Sequence, residues 1–201
     1  MPMQNKTMVF RVSLLDIRPE IWREIEVPAT YSFWDFHVAI QDAMGWLDYH
    51  LHVFRIPDPK TGETKEIGIP DDGGFPDTPS ISPGWETAIA DYFIHPGDQA
   101  SYEYDFGDDW QHKIRLDRIA DRTKGTKYPR CLHGERACPP EDCGGVWGYE
   151  QLLKIISDPK HEEYEDMIEW LDGKYDPENF NSESVEFDNP KKRWELAFRQ
   201  Q

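Results

Sequence analysis

The sequence lacks a long apolar run, a disulfide-type cysteine pattern and any familiar catalytic motif. Nothing in its 201 residues approaches the roughly 20 consecutive apolar residues that a membrane-spanning helix needs. The first seven residues are polar, without the apolar core of a signal peptide. Three cysteines, an odd number, do not suit a disulfide framework. We therefore expect a cytoplasmic protein with reduced thiols and no membrane span.

Basic residues are also scarce. The 22 Lys and Arg residues face 39 Asp and Glu residues, which gives a net charge of −17. Proteins that bind nucleic acid gain affinity when Lys and Arg displace the counterions of the phosphates, so this balance makes nucleic acid an unfavourable partner. A basic stretch at residues 118–130 is interpreted as a solvated loop that balances nearby carboxylates. A protein or peptide partner fits the charge better.

The chain does contain enough aromatic residues for a core, with 10 Phe, 9 Tyr and 8 Trp. Apolar residues alternate over 8–14 and again over 21–27, which predicts a hairpin of two half-buried strands. Ser32 is suited to cap a helix with an apolar stripe that ends near Gly45, and residues 50–56 predict a further strand. This ββαβ order predicts a β-grasp-like half.

A second hairpin is predicted over residues 102–116. If residues 107–109 form its loop, Tyr104 lies opposite His112 and Glu103 lies opposite Lys113. Apolar residues at helical spacing dominate the last third of the chain. We therefore predict one α+β domain over residues 1–201, with a mixed sheet and one helix in 8–120 and a loop and helical cap in 121–201.

Several motifs occur together in one order. Two motifs lie at residues 10–23 and 44–52. They are followed by the runs Tyr104-Asp-Phe-Gly-Asp-Asp-Trp110 and Pro139-Pro-Glu-Asp142, and by glycines within residues 144–149. With these motifs the chain resembles the plasmid pRiA4b ORF-3-like family over about residues 8–185. The resemblance implies an α+β fold of bacteria and archaea without an established activity. Some relatives carry a transposon-resolvase label, but this sequence has no recombinase serine motif and no basic face.

Acidic and aromatic residues with histidines are concentrated in three short segments. The candidate binding residues are His50, His52, Asp105, Asp109, Trp110, His112, Glu141, Asp142 and Trp147. Carboxylates and imidazoles are the groups that a metal-dependent hydrolase uses, and His50 and His52 would share one strand face. The structural alternative is that the acids form turns and caps, while His112 belongs to an aromatic core face.

Three cysteines and a histidine form a further cluster. Cys131, His133, Cys138 and Cys143 could hold a structural zinc ion, but their spacing is not that of paired zinc-ribbon cysteines. Buried free thiols are the alternative. Trp110 and Trp147, together with Trp46, could line a groove or fill the core.

No motif supplies a reaction centre. The sequence therefore favours a non-enzymatic interaction module that binds a protein or peptide. A metal-dependent hydrolase acting on nucleotides or nucleic acid is the alternative, and an accessory role in a mobile element follows from the family resemblance alone.

Overall fold

Helices and strands follow one another in the order of a mixed α+β protein. The computed structural model describes residues 3–70, 81–173 and 175–198. The strands are β1 (Lys6–Leu14), β2 (Trp22–Pro28), β3 (His52–Pro57), β4 (Thr64–Gly68), β5 (Ser82–Pro83), β6 (Gln99–Tyr104), β7 (Trp110–Asp121) and β8 (Arg130–Glu135). The helices are α1 (Phe33–Met44), α2 (Gly145–Ser157), α3 (Tyr164–Trp170) and α4 (Pro190–Phe198). Short 3₁₀ turns lie at Met3–Asn5, Ile89–Asp91 and Ser182–Ser184.

The eight described strands form one sheet in the order β5-β4-β3-β6-β7-β1-β2-β8. Neighbouring strands are antiparallel, except that β4 and β5 run parallel. The predicted β1–β2 hairpin is confirmed. Within β1, Val9 and its neighbours Met8 and Phe10 are all fully buried, although successive side chains of a strand point to opposite faces. Both faces of the sheet are therefore covered at its centre.

The β-grasp-like description is not confirmed. The chain does follow the expected order of two strands, one helix and one strand. However, β3 pairs with β4 and β6, whereas β1 pairs with β2 and β7. The hairpin β6–β7 therefore separates β3 from β1. Local patterns predict each strand, but they do not specify its neighbours in the sheet.

Helix α1 begins and ends as its sequence predicts. The Ser32 hydroxyl accepts from the Asp35 amide, and the Asp35 carboxylate accepts from the Ser32 amide, which is a capping box. Gly45 ends the helix in the left-handed conformation at a φ of 94°. The outer side of α1 is covered as well, since the Trp34 indole donates to the Pro190 carbonyl at 3.0 Å. Helix α1 thus lies between the sheet and the C-terminal segment.

The register predicted for the second hairpin is wrong by two residues. Tyr104 lies opposite Trp110, and Tyr102 lies opposite His112. The turn is longer than predicted, because Asp105 and Asp109 adopt left-handed φ angles of 55° and 54° and the Asp109 amide donates to the Asp105 carbonyl. A shift of two residues keeps each side chain on its face of the sheet. The aromatic residues of the two strands are therefore buried as expected.

The C-terminal part contributes a strand that the sequence analysis missed. Strand β8 pairs with β2 at one end of the sheet order. The chain then returns along β8: the Ala137 amide donates to the Pro177 carbonyl at 3.0 Å, and Phe180 covers the buried Arg23 guanidinium at 3.6 Å. At Gly134 a Cβ atom would lie 2.4 Å from the Phe180 ring. One face of β8 and of the paired strand β2 is thus covered by this segment.

The helices of the described ranges do not include a membrane-spanning one. No helix in residues 3–70, 81–173 or 175–198 has the length and apolar content that such a span needs.

Replacement of the cap tests the role of Ser32. We expect Ser32→Ala to lower the free energy of unfolding by about 1 kcal/mol, because the Asp35 amide loses its acceptor. Ser157→Ala, at the exposed end of α2, is the matched control and should change the free energy by less than about 0.5 kcal/mol. Urea unfolding measures both. Equal effects of the two substitutions would contradict a role for the cap.

Candidate functional site

Three separate segments bring a histidine and two aspartates together. His50 precedes β3, Asp105 follows β6, and Asp142 lies in the loop before α2. The His50 Nε2 atom lies 3.1 Å from the Asp142 Oδ1 atom and 3.6 Å from the Asp105 Oδ2 atom. Across the described residues, no other group of three or more His, Cys, Asp and Glu residues has its ligand atoms all within 4.8 Å of one another. We call these three residues the His–Asp cluster.

Asp105 is held rigidly where β6 ends. Its amide donates to the Leu51 carbonyl at 2.9 Å, and its Oδ1 atom accepts from the Gly107 amide at 2.9 Å. Aspartate tolerates the left-handed conformation that this position requires. Only 8% of Asp105 is exposed. Its second carboxylate oxygen is therefore presented to His50 from a buried and fixed side chain.

Asp142 is positioned by a loop that packs closely on the β6–β7 turn. The Gly144 amide donates to the Asp108 Oδ2 atom at 3.1 Å. A Cβ atom on Gly145 would lie 2.3 Å from the Asp108 carbonyl oxygen, so only glycine allows this approach. The Asp142 side chain itself is 68% exposed. The cluster thus has a buried acid on one side and a solvent-accessible acid on the other.

Glu141 and Tyr104 adjoin the His–Asp cluster. The Tyr104 hydroxyl donates to the Glu141 Oε1 atom at 2.6 Å and accepts from the Tyr49 amide. Burial and the adjacent Glu141 raise the pKa of Tyr104, which keeps the phenol protonated. Among the described residues the buried Glu141 Oε2 atom has no hydrogen-bond partner. The ring of His50 meets the ring of Tyr104 edge-on at 5.8 Å.

His52 does not join His50, so the predicted ligand pair on one strand face is wrong. Strand β3 begins at His52, and His50 lies in the preceding loop, where strand alternation does not apply. His52 is buried and stacks on His37 with ring centroids 3.5 Å apart. Burial, and then the adjacent His37, hold the pKa of His52 well below its ordinary value. His52 is a neutral core residue.

Trp110, His112 and Asp109 also lie outside the cluster. Trp110 and His112 are buried, and the His112 Nδ1 atom donates to the Trp110 carbonyl at 3.0 Å. Burial lowers the pKa of His112 to about 4. Asp109 occupies the β6–β7 turn, where its carboxylate accepts from the Gln111 side chain. For these three residues the structural interpretation is the correct one.

The predicted zinc set does not assemble in the described part of the chain. Cys131, His133, Cys138 and Cys143 contribute no group of three whose ligand atoms meet within 4.8 Å. The Cys131 thiol instead donates to the His133 carbonyl. Burial raises the pKa of Cys131 to about 11 and that of Cys143 to about 12, and it raises the pKa of Cys138 as well. The thiols are protonated and partly buried.

Large apolar side chains are exposed near the His–Asp cluster. Tyr49 and Leu51 flank His50 in sequence, and Phe106 follows Asp105. The exposed large apolar residues of these segments and of the adjacent helices are Leu47, Tyr49, Leu51, Phe106, Trp147 and Trp170. Of the three tryptophans considered for a groove, Trp46 and Trp110 are buried in the core, and only Trp147 is exposed, at 73%.

Two grooves adjoin this surface. One, of about 480 Å³, is bordered by Leu47, Glu141 and Trp170. The other, of about 330 Å³, is bordered by Asp142, Leu152 and Trp170. Trp170 and the Glu141–Asp142 pair therefore separate the two grooves. The sequence analysis missed Tyr49 and Trp170; the position of Tyr49 next to His50 was the available signal, whereas nothing in the sequence distinguished Trp170 from a core tryptophan.

Comparison with known proteins agrees with the fold. Residues 6–184 match the family described as plasmid pRiA4b ORF-3-like protein. A curated relative, the uncharacterised protein y4hQ of Sinorhizobium fredii, is 35% identical over 163 residues, which are 80% of this chain and 78% of the relative. The crystal structure of MM3350 from Methanosarcina mazei Go1, a protein of unknown function, is 44% identical with a TM-score of 0.82 and covers 90% of this chain and 98% of that one.

The buried histidines predict how stability depends on pH. The pKa values of His52 and His112 in the folded protein lie below the roughly 6.5 expected for the unfolded chain. Below about pH 6.5 the unfolded chain therefore binds protons that the folded protein does not. Each histidine lowers the free energy of unfolding by about 1.4 kcal/mol per pH unit as the pH falls toward its folded pKa, and contributes nothing to this slope above about pH 6.5.

His52→Leu isolates one of the two contributions. Both ring nitrogens of His52 lack hydrogen-bond partners among the described residues, so the substitution removes a titrating group without removing a hydrogen bond. Denaturant unfolding between about pH 6 and pH 5 should show a slope smaller by about 1.4 kcal/mol per pH unit. His95→Leu, at an exposed position, should leave the slope unchanged. An unchanged slope in His52→Leu would show that His52 is protonated in the folded protein.

Proposed function

This chain belongs to the plasmid pRiA4b ORF-3-like family, and we propose that it is a binding module for a protein or peptide segment. The binding surface is formed by the His–Asp cluster, the two grooves beside Glu141 and Asp142, and the exposed apolar residues around them. The observation that supports this proposal most directly is the combination of exposed aromatic side chains with an acidic centre. The names of its relatives assign no activity.

The exposed aromatic residues are suited to partner binding. Tyr49 and Trp147 are each 73% exposed, and Trp170 is 50% exposed. The contact of a large aromatic side chain with water is unfavourable, and a bound partner that covers the side chain removes this contact. Trp and Tyr are also enriched among the residues that contribute most of the binding energy. Groups of such residues on a protein surface commonly mark interaction sites.

The acidic centre indicates the chemistry of the partner. Glu141 borders one groove and Asp142 borders the other, so a segment that fills both grooves passes over two carboxylates. A Lys or Arg side chain at that point would pair with the exposed Asp142 carboxylate, and the net charge of −17 would favour its approach. We therefore propose an extended segment in which a basic residue lies between two apolar anchors.

Selection from a random peptide library tests this proposal. Peptides of about 12 residues displayed on phage should be enriched for a basic residue flanked by apolar ones, and Trp170→Ser should weaken binding of the selected peptides at least about tenfold. Leu196→Ser is the control, because Leu196 is an exposed apolar residue on α4, outside this surface. Fluorescence anisotropy measures both. A library without enriched peptides, or equal weakening by the two substitutions, would contradict the proposal.

A metal-dependent hydrolase acting on nucleotides or nucleic acid is the second candidate. The meeting of His50, Asp105 and Asp142 favours it, because three ligands would leave a position open for water on a bound ion. Glu141 is adjacent to Asp142 in the chain, and its Oε2 atom, which has no hydrogen-bond partner among the described residues, is the candidate general base. A mobile-element accessory role has only the family description in its favour.

Hydrolysis assays with nucleoside triphosphates and an aryl phosphodiester, in the presence of Mn²⁺ or Zn²⁺, test the second candidate. Glu141→Gln should lower the rate by about 100-fold or more, because it removes the proton acceptor. Glu150→Gln, on the exposed face of α2, is the control and should retain the rate. Absence of turnover, or equal turnover in wild type and Glu141→Gln, would exclude this candidate.

A further inference from the structure

We infer that His50, Asp105 and Asp142 form a binding site for one divalent transition-metal ion. The three side chains come from three different segments, and their ligand atoms all lie within 4.8 Å of one another. This inference goes beyond the proposed peptide binding and does not depend on it.

The distances within the cluster suit a single ion. Ligand atoms that lie about 2.0–2.2 Å from a tetrahedral ion are about 3.3–3.6 Å apart from one another. The His50 Nε2 atom lies 3.1 Å from one aspartate oxygen and 3.6 Å from the other. Small side-chain adjustments would therefore place all three atoms in one coordination shell.

The His50 Nε2 atom differs from the unpartnered ring nitrogens of His52 and His112, because two carboxylate oxygens lie within 3.6 Å of it. Although an Asp142 oxygen lies only 3.1 Å away, the buried Nε2 atom makes no hydrogen bond to any residue in the described ranges. A buried ring nitrogen without a partner is unfavourable. An ion placed between the imidazole nitrogen and the two carboxylates would satisfy the nitrogen lone pair without needing the linear geometry of a hydrogen bond.

The carboxylates are organised in the manner of metal ligands. Asp105 is only 8% exposed, and its Oδ1 atom accepts a hydrogen bond from the Gly107 amide. Only its Oδ2 atom is directed to His50. Hydrogen bonds that orient a ligating carboxylate in this way are typical of protein metal sites. Asp142 is added by the loop that glycines at 144 and 145 allow to approach the β6–β7 turn.

The ligand types indicate which ions the site would select. Imidazole nitrogen suits Zn²⁺ and Fe²⁺, and the two carboxylates also suit Mn²⁺, whereas Ca²⁺ and Mg²⁺ prefer oxygen ligands throughout. Two carboxylates and a neutral imidazole would balance the charge of a divalent ion. Three protein ligands leave at least one coordination position for water or for a group of a bound partner. The exposed side of Asp142 gives the ion a route from solvent.

The simpler alternative is an ion pair in which a protonated His50 lies between two aspartates. Both arrangements place the same atoms together, but they differ in their response to metal ions. In an ion pair the imidazolium occupies the place of the cation, and added metal would find no specific site. Metal titration therefore separates the two.

The experiment is isothermal titration of chelator-treated, full-length protein with Zn²⁺, Mn²⁺ and Mg²⁺ at neutral pH. We expect one Zn²⁺ or Mn²⁺ ion per chain and weaker binding of Mg²⁺. His50→Ala and Asp142→Asn should each lower the affinity for the preferred ion at least about tenfold, because each removes one of three ligands. The controls His95→Ala and Asp166→Asn replace exposed residues outside the cluster and should retain the wild-type affinity.

Circular dichroism establishes that each variant is folded before titration, and Asp142, which is largely exposed, is the substitution least disruptive to the fold. Wild-type protein that binds neither Zn²⁺ nor Mn²⁺ would overturn the inference. Stoichiometric binding that persists in both His50→Ala and Asp142→Asn would overturn it too, and so would binding that only Cys138→Ser abolishes. Because no peptide is present, failure here is distinct from failure of the peptide selection.

Discussion

The close packing of the loop at residues 139–148 against the β6–β7 turn is the contact on which the whole site depends. It places Asp142 beside His50 and Asp105, although these residues are far apart in the chain. Gly145 makes the approach possible, because any side chain there would collide with the Asp108 carbonyl. The Trp46 indole supports the same loop from the core by donating to the Pro139 carbonyl at 2.9 Å. The chemistry of the site therefore rests on backbone proximity as much as on its side chains.

This packing also places the proposed peptide-binding site and the proposed ion site on the same surface. The loop that supplies Asp142 supplies Glu141 too, and the two residues face different grooves. An ion on the cluster would neutralise part of the acidic centre and could coordinate a group of the bound segment directly. A change of occupancy at the cluster would then alter which segments the grooves accept.

Local sequence signals predicted the individual elements well and their assembly poorly. Ser32, Asp35 and Gly45 specify the ends of α1 through contacts within a few residues, so the helix was predictable from sequence. The register of β6–β7 was not predictable in this way. The left-handed conformations of Asp105 and Asp109 lengthen the turn, and an aspartate in the sequence does not by itself indicate that conformation. Strand β8 was missed because it is stabilised by β2 and Phe180, which are distant in sequence.

The same reasoning applies to the candidate site. The residue types at His50, Asp105 and Asp142 identified them as candidates, but His52 and His112 have the same chemistry and are buried in the core. Which of His50 and His52 is buried depends on where β3 begins, and the sequence does not fix that boundary to within a residue or two. The sequence could therefore supply the candidate residues, but only the folded chain shows which of them are solvent-accessible and which are buried.

The segment around Phe180 that lies along β8 has a consequence for how other chains can associate with this sheet. Phe180 lies against the Gly134 position of β8 and over the Arg23 guanidinium of the paired strand β2. The returning chain therefore covers one face of this strand pair. A partner that approaches that face meets the side chains of the returning chain rather than those of β2 and β8.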